Sequence, residues 1–420
     1  MMITILTFLA GLVIYAGYGI PGLLFLLCMT AVSYLCALVT PQHRWFLWIS
    51  VVSTGFFLIA FKLLPLTGLE FMAPMGVSYF ALRILSYNID IYRGKYEPEE
   101  NPLKYGLYVT YLPSIFLGPI DRYDSFCTAF YEKRKITWNN LSFGGARILW
   151  GLFKKYAIAA RAGVLVGTIS GDTDAYRGGF ALLAVVLYSI QLYADFSGGI
   201  DIILGVSRML GARLSENFNA PYFSQSVQEF WRRWHMTLGS WLKDYIYIPL
   251  GGNRKGKVRK VINNLLTFLV SGFWHGVHYL LWGLFNGIFV AVGEKLKTPV
   301  KLINQAGTFL VISLLWAFFV WPETLTALSM IGSIFTTFNY EEVFSSMLSL
   351  GLNGGEWIVF LVSVLLLWLY DWKQKNLRRA FRKMAPWARV AVMCCLALAV
   401  LVFGMYGIGF NAEEFIYSRF

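Results

Sequence analysis

The residues best suited to chemistry lie in one short segment, Ser271-Gly-Phe-Trp-His-Gly-Val-His278, inside an otherwise apolar run of about residues 261–290. A histidine in such a run is costly to bury and therefore suggests a function. Imidazole is the side chain best matched to moving a proton near neutral pH. We predict that His275 is a general base, and that its flanking glycines allow a backbone or a substrate to approach closely. A hydrogen-bonded core histidine is the alternative.

The same segment does not predict a metal site. His275 and His278 can share a helix face, but no Cys or Glu lies nearby, and two ligands rarely make a site. The sequence contains no serine-hydrolase elbow, phosphate-cradling glycine loop or nucleotide fingerprint. An enzyme built on this chain must therefore work with a histidine and a substrate hydroxyl, without a serine or cysteine nucleophile.

A second polar cluster is Gln191-Leu-Tyr-Ala-Asp-Phe-Ser-Gly-Gly-Ile-Asp201. Its polar members are four residues apart and share helix faces, Gln191 with Asp195 and Ser197 with Asp201. We predict a buried hydrogen-bond network that lines a central bore and joins neighbouring helices, with Arg208 or Arg213 as the pairing cation. A direct chemical role for these side chains is the alternative.

The third cluster runs from Glu229 through Arg232-Arg233-Trp-His235 to Asn253-Arg254. Its mixture of Trp, Tyr, Arg and Lys is typical of the membrane interface, where amphipathic rings and long cationic stems find both solvents. The two adjacent arginines disfavour the protonated form of His235. Pro249 and the glycines at 251 and 252 end the element in a turn.

Helices in a membrane must position these clusters. Of the 420 residues, 57% are hydrophobic and 14% charged, and the mean hydropathy is +0.57. A soluble domain carries about 25% charged residues, so soluble, disordered, fibrous and coiled-coil classes are excluded. We predict an all-α polytopic membrane protein, a single domain over residues 1–420, with about ten to twelve transmembrane or re-entrant helices around a central bore.

A membrane-spanning helix needs about 20 apolar residues. Suitable runs cover approximately residues 2–18, 22–40, 45–65, 147–168, 179–206, 261–290, 307–321, 357–372 and 388–410, and shorter ones lie near 71–86, 106–119 and 325–338.

Charge predicts the orientation. The net charge of +13 reflects basic loops, notably residues 254–260 and 373–389, which the positive-inside rule assigns to the cytoplasm. Residues 339–356 carry Glu and no Lys or Arg, so we expect them outside, as well as the tail 411–420. We expect a multi-pass protein of the cell membrane, in contact with membrane lipid, and no nucleic-acid partner. The five cysteines indicate no disulfide framework.

The clusters, in this order, resemble the membrane-bound O-acyltransferase family, and most of all its bacterial polysaccharide O-acetyltransferase branch, which includes the alginate enzymes. The similarity covers about residues 70–290. The matching stretches are Pro74-Met-Gly-Val-Ser-Tyr, Ser86-Tyr-Asn-Ile-Asp-Ile-Tyr-Arg-Gly94, Gly118-Pro-Ile-Asp-Arg122, Gln191-Leu-Tyr-Ala-Asp-Phe-Ser-Gly, Glu216-Asn-Phe-Asn-Ala-Pro-Tyr222, Phe230-Trp-Arg-Arg-Trp-His235, Asp244-Tyr-Ile-Tyr-Ile-Pro-Leu-Gly-Gly-Asn-Arg254 and Gly272-Phe-Trp-His-Gly276.

The resemblance implies an enzyme that moves an acyl group, expected to be acetyl, from a cytoplasmic thioester to an extracellular or cell-wall polysaccharide. It implies that His275 is the catalytic histidine and His235 the second histidine of the core. The expected donor is acetyl-coenzyme A, with no bound cofactor, and its phosphates would contact Arg254, Lys255 and Lys257. The expected bore residues are Gln191, Asp195, Ser197, Asp201, Arg232, Arg233 and Trp274. The expected partner is an extracellular protein of the SGNH-hydrolase type.

The tail Glu414-Phe-Ile-Tyr-Ser-Arg-Phe420 resembles the C-terminal motif of the accessory peptide in teichoic-acid D-alanylation systems. We therefore predict that Tyr417 carries the acyl group as an intermediate. An aromatic tail on the outer leaflet is the alternative. The runner-up function is D-alanyl transfer to teichoic acid, with an acyl-carrier protein as donor. A secondary transporter is less favoured, since the halves show no repeat symmetry. A non-catalytic scaffold is the remaining, less favoured alternative.

Overall fold

A computed structural model describes residues 2–67, 74–132 and 134–406. Over these ranges the backbone forms helices and loops and no strand, which confirms the all-α prediction. The chain divides into two compact units: residues 1–137 with 206–215, and residues 138–205 with 216 onward. All three polar clusters lie in the second unit. The described residues hold no group of three or more His, Cys, Asp or Glu side chains placed to bind a metal ion.

The first unit is built around aromatic rings. Its α-helices are α1 Met2–Ala16, α2 Ile20–Val39, α3 Phe46–Leu63, α4 Val77–Tyr92, α5 Pro102–Thr110, α6 Leu112–Ile115 and α7 Tyr123–Cys127, with a 3-10 turn at Leu64–Thr67 and a π-helical turn at Thr128–Glu132. The Arg83 guanidinium is buried among these rings and donates to the carbonyls of Tyr108 and Pro119, each at 3.0 Å. These bonds satisfy a cation that burial alone would disfavour.

The second unit carries the candidate site. Its α-helices are α8 Trp138–Phe153, α9 Ala160–Gly171, α10 Gly179–Met209, α11 Val227–Arg233, α12 Met236–Leu242, α13 Gly256–His275, α14 Leu280–Val292, α15 Lys301–Leu315, α16 Ala317–Val320, α17 Thr324–Thr336, α18 Tyr340–Ser345, α19 Gly354–Lys383 and α20 Pro386–Phe403. Short 3-10 turns occur at Pro221–Phe223, Val277–Tyr279, Gly293–Leu296 and Met347–Ser349, and π-helical turns at Lys154–Ala159 and Lys243–Tyr247. The last turn of α10 belongs to the first unit.

Six helical segments of the described chain are long and apolar enough to cross a membrane. They are Ile20–Val39, Phe46–Leu63, Gly179–Met209, Lys301–Val320, Gly354–Lys383 and Pro386–Phe403. The other predicted runs form shorter or interrupted helices. The run near 106–119, for example, divides between α5 and α6, because Pro113 enters at the start of a new helix.

The predicted span 261–290 is wrong as a single crossing. Helix α13 ends at His275, Gly276 follows at φ 149°, and α14 runs back from Leu280. A β-carbon on Gly272 would lie 2.5 Å from the carbonyl oxygen of Tyr279, and one on Gly283 would lie 2.4 Å from that of Phe268. The two helices therefore form a tight antiparallel hairpin, because glycines at this interface leave room for backbone contact. His275 stands at the turn of this hairpin.

The helix predicted at 357–372 is longer than expected. Helix α19 has 30 residues, from Gly354 to Lys383, which corresponds to about 45 Å of rise. Asn353 and Glu356 form a capping box that begins it, and Arg382 and Lys383 lie in its last turn. Most of the basic segment predicted as a loop is therefore helical. Its acidic and basic ends are separated by more than the thickness of the hydrocarbon core, about 30 Å.

Candidate active site

One face of α13 carries a row of polar side chains that leads to His275. Lys260, Asn264, Thr267, Ser271 and His275 follow one another at intervals of three or four residues, which places them on the same helix face. The rise from Lys260 to His275 is about 22 Å. Most of the opposite residues of this helix are apolar, so the row forms a polar track along an apolar helix.

A cavity of about 510 Å³ lies along this track. Its wall includes four track residues, Lys260, Asn264, Thr267 and Ser271, together with His235. The other lining residues are Gln228, Trp231, Arg232, Trp234, Met236, Leu238, Gly239, Ser240, Leu242, Lys243, Tyr247, Phe268 and Val290. His275 is absent from this lining and lies one helical turn beyond Ser271. The cavity thus has apolar sides with polar groups at intervals.

A second cavity, of about 360 Å³, shares five lining residues with the first: Gln228, Arg232, Lys243, Tyr247 and Lys260. It extends to the turn from Ile248 to Arg254. Four cations line it, Arg232, Lys243, Arg254 and Lys260, and its described lining includes no carboxylate. We call this second cavity the cationic mouth. Its composition suits an anionic group such as a phosphate.

The mouth overlaps only in part with the predicted phosphate contacts. Arg254 lines it, whereas Lys255 runs alongside Gly251 and Lys257 is exposed at the start of α13. Sequence reasoning did not predict Lys243, and it included Lys260 only as the end of the basic segment 254–260. The signal for Lys260 was its position on the same face as Asn264 and Ser271. Lys243 lies in a π-helical turn, so no α-helical spacing in the sequence indicates which residues share its face.

His235 lies in the wall of the first cavity in a left-handed conformation, φ 42°, directly before α12. Asn217 fixes the first residues of α12. Its backbone carbonyl accepts from the amide of Met236 at 3.0 Å, and its Oδ1 accepts from the Thr237 hydroxyl at 2.6 Å. Burial lowers the pKa of His235 to about 3. The imidazole is therefore neutral, as predicted from the sequence, but the cause is burial and not the adjacent arginines.

His275 is surrounded by aromatic rings. Its ring centroid lies 4.7 Å from that of Trp274, 5.4 Å from Trp282 and 5.6 Å from Phe319. Trp274 also contacts His235, at 6.4 Å between centroids. One indole ring therefore contacts both histidines, and the environment of His275 excludes bulk water. Such a setting strengthens the electrostatic interactions of a proton-transfer group.

The carboxylates of α10 have other partners than the sequence suggested. Asp201 accepts from Arg147 Nε and from Lys154 Nζ, each at 2.6 Å, and not from Arg208 or Arg213. Lys154 also donates to the Ser197 hydroxyl at 2.8 Å, which confirms that Ser197 and Asp201 share a helix face. Lys155 pairs with Asp195 at 3.1 Å. These contacts form a buried network of charges that joins α10 to α8 and to the π-helical turn at Lys154–Ala159.

Further charges extend this network to α19. Glu216 accepts from Arg147 and from Arg378, and Tyr193 donates to Asp371 at 2.6 Å. Burial alone would raise the pKa of Glu216, but the two guanidinium groups hold it below its usual value. The space that these residues enclose is about 20 Å³, room for one water molecule.

The remaining predicted bore residues have separate surroundings. Arg233 pairs with Glu229 at 2.5 Å, whereas its neighbour Arg232 faces the cavities. Gln191 packs against Gly163, where a β-carbon would lie 2.9 Å from the Gln191 amide nitrogen. Of the predicted bore residues, Arg232 therefore lines the cavities and Asp195, Ser197 and Asp201 belong to the charged network, whereas Gln191, Arg233 and Trp274 have the separate contacts described above.

Tyr417 lies outside the described residues, which end at Tyr406. The last described residues are attached to the helix formed by α8, the π-helical turn and α9. Arg161 donates to the carbonyl of Phe403 at 2.6 Å, and the amide of Met405 donates to the carbonyl of Tyr156 at 3.0 Å. The Tyr406 ring lies 5.3 Å from that of Tyr156.

The sequence profile of the membrane-bound O-acyltransferase family matches residues 12–336. The chain belongs to this family. The match extends well beyond residues 70–290, where its motifs were evident from the sequence, and includes most of the first unit and the helices up to α17. Membership identifies the protein as an enzyme, a multi-pass membrane O-acyltransferase.

Relatives of this O-acyltransferase include proteins named for three different activities. It is 34% identical over 348 residues to the probable alginate O-acetylase AlgI of Pseudomonas fluorescens, which covers 79% of this chain and 70% of that protein. It is 32% identical over 305 residues to the peptidoglycan O-acetyltransferase of Helicobacter pylori (63% and 58%). It is 29% identical over 234 residues to the teichoic acid D-alanyltransferase of Bacillus subtilis (51% and 58%). The chain spans about half to seven tenths of the length of the curated relatives it matches.

Proposed function

We propose that this O-acyltransferase takes an acetyl group from cytoplasmic acetyl-coenzyme A and delivers it across the membrane for O-acetylation of an extracellular or cell-wall polysaccharide. One observation carries the proposal. The cationic mouth and the first cavity share lining residues, and the polar track along the first cavity leads toward His275. A donor with an anionic head and a long, mostly uncharged arm fits such a cavity. The O-acetylases among the relatives support acetyl as the group transferred.

The head of the donor would bind at the mouth. Arg232, Lys243, Arg254 and Lys260 would hold its phosphates through charge-assisted hydrogen bonds. The pantetheine arm would then follow the track, where Asn264 and Thr267 offer partners for its amides. This arrangement would direct the thioester toward Ser271 and His275.

The transfer step needs a base. His275 would remove the proton of an attacking hydroxyl as the oxygen bonds to the thioester carbon, and would return that proton to the departing thiolate. A positioned base contributes about 10²–10⁴-fold to such a reaction. His235, neutral and in the cavity wall, would contact the arm of the donor or the acyl group.

The acceptor in this proposal is the phenol of Tyr417. Its ordinary pKa is near 10, so a base is required for attack at neutral pH. The acyl-tyrosine would lie on the outer side of the membrane, where an SGNH-hydrolase-like partner would pass the acyl group to the polysaccharide. The orientation expected from residues 373–389 and 339–356 supports an outer tail.

The test is acyl transfer by the purified protein in proteoliposomes supplied with labelled acetyl-coenzyme A, followed by mass spectrometry of the C-terminal peptide. We expect acetyl on Tyr417 in the wild type, and none in Tyr417→Phe or His275→Ala. His278→Ala and Tyr340→Phe, which alter exposed residues of the same types, are the matched controls and should retain labelling.

Each outcome of this test is informative. Activity of His275→Ala at the wild-type level would overturn the catalytic assignment. Polymer acetylation in cells that express Tyr417→Phe, where the partner protein and the polymer are present, would remove the tyrosine relay and leave the acetyltransferase proposal intact. Labelling from a D-alanyl carrier protein and not from acetyl-coenzyme A would favour the D-alanyl alternative, which the Bacillus subtilis relative represents.

A further inference from the structure

Trp282 is a second aromatic neighbour of His275, and its indole N–H is buried. Its side chain is 1% exposed, and its indole N–H has no acceptor among the described residues. A buried donor without a partner is destabilising and needs an explanation. The neighbouring Trp231 differs, since its N–H donates to the Asn286 side chain at 3.0 Å.

The indole of Trp282 is held in place on several sides. Its centroid lies 5.4 Å from His275, with the two ring planes at 87°. Trp231, Trp316 and Phe319 surround it at 5.5, 5.8 and 5.2 Å. The adjacent Gly283 brings the backbone of α14 against α13, so the position of Trp282 relative to His275 is set by the hairpin. An N–H in such a setting does not need to reorient during a reaction.

We propose that the indole N–H of Trp282 stabilises the oxyanion that forms when a hydroxyl attacks the thioester beside His275. This proposal rests on the proposed function. In the first step, the hydroxyl oxygen bonds to the thioester carbon, the hydroxyl proton moves to His275, and the carbonyl oxygen becomes an anion that accepts a hydrogen bond from Trp282. In the second step, the carbonyl re-forms, the C–S bond breaks, and the thiolate takes the proton from His275.

A donor that is unpaired in the resting protein is available for an oxyanion that forms during the reaction. A hydrogen bond that forms only in the tetrahedral state lowers the barrier, whereas one that is already satisfied does not. Preorganised donors in water-excluded sites have large effects, and removal of one typically lowers kcat about 10²–10³-fold. Trp282 is therefore assigned as a catalytic residue in addition to His275.

The test removes the indole N–H and keeps an aromatic ring at position 282. Trp282→Phe is the simple variant. Incorporation of benzothienylalanine at position 282 keeps the size and shape of the indole and substitutes sulfur for the N–H, so it also serves if the Phe variant fails to fold. Trp150→Phe is the matched control, because the Trp150 N–H is likewise buried without an acceptor but its ring packs against Phe153 and Tyr370.

Acetylation of Tyr417 from acetyl-coenzyme A is then measured in single-turnover reactions, with the maximal rate constant as kcat, the half-saturating donor concentration as KM, and the melting temperature as a check of folding. We expect benzothienylalanine at 282 to lower kcat by about 10²-fold with KM within about twofold, and Trp150→Phe to leave both unchanged. A kcat near wild type, or a change confined to KM, would overturn the oxyanion role. Wild-type activity in His275→Ala would instead overturn the proposed function on which this role depends.

Discussion

Lys154 and Asp201 form a buried ion pair, with 2.6 Å between Nζ and Oδ2, where two helices approach each other through glycines. A β-carbon on Gly151 would lie 2.5 Å from the carbonyl oxygen of Gly198, so α8 and α10 are in backbone contact one turn away from the pair. The π-helical turn at Lys154–Ala159 allows two consecutive lysines to face α10. Ion pairing and close helix contact are therefore parts of one interface.

The two partners of this pair are not equivalent. Asp201→Asn leaves Lys154 with the Ser197 hydroxyl as its acceptor, whereas Lys154→Met leaves Asp201 paired with Arg147. We expect Asp201→Asn to lower the free energy of unfolding by about 3–5 kcal/mol, and Lys154→Met by about 1–2 kcal/mol. Denaturant unfolding in detergent measures both. Asp124→Asn, which breaks a half-exposed pair with Lys95, should change stability by less than about 0.5 kcal/mol. Equal losses of unfolding free energy for Asp201→Asn and Asp124→Asn would contradict the importance of the buried pair.

The hairpin that holds His275 depends on Gly272 and Gly283. Because a β-carbon at Gly283 would lie 2.4 Å from the carbonyl oxygen of Phe268, Gly283→Ala must push α14 away from α13. We expect a loss of about 1–3 kcal/mol in stability and a fall in acyl transfer, measured by melting and by the labelling assay. Gly307→Ala is the control, since its β-carbon meets nothing within 4 Å and helix propensity favours alanine. A neutral Gly283→Ala would show that the helices can separate at little cost.

The cationic mouth predicts the effect of charge on donor binding. Removing Arg254 and Lys260 together should raise the KM for acetyl-coenzyme A by about 10–100-fold with little change in kcat, because each charge-assisted bond contributes about 1.5–3 kcal/mol before screening. Single-turnover kinetics over a range of donor concentrations, at two salt concentrations, measure this effect. Lys257 was predicted from the sequence as a phosphate contact but does not line the mouth. We therefore expect Lys257→Ala to change the KM by less than twofold. A larger effect at Lys257 than at Lys260 would move the phosphate site to the start of α13.

The pKa of His235 predicts a loss of stability in acid. Its folded value of about 3 lies below the ordinary value of about 6.5, so the unfolded chain binds a proton that the folded chain excludes. The contribution of neutral His235 is therefore complete above pH 6.5 and is lost as the pH falls toward 3, by about 2 kcal/mol between pH 7 and pH 5. Unfolding of wild type and His235→Asn across this range gives the comparison. Parallel pH profiles of the two proteins would contradict the burial of this imidazole.

Much of the architecture follows from local patterns. The scarcity of charge and the apolar runs of about 20 residues predict a helical membrane protein, since a helix of that length spans the lipid with its backbone hydrogen bonds satisfied internally. The spacing of Ser197 and Asp201 places them on one face, and a single lysine binds both. The motifs around His235 and His275 indicate the family that the profile match confirms. These properties depend on neighbours within a few residues, and helix periodicity makes them readable.

Other properties required the tertiary structure. The partners of Asp201 are 47 and 54 positions away, so the choice of Lys154 and Arg147 over Arg208 depends on how helices pack. The apolar run 261–290 is long enough for one crossing, and only the backbone contact of Gly272 and Gly283 shows that it folds into a hairpin. The four cations of the mouth come from α11, a π-helical turn, a loop and α13. Sequence periodicity determines which face a side chain occupies, but the packing of distant segments determines what that face meets.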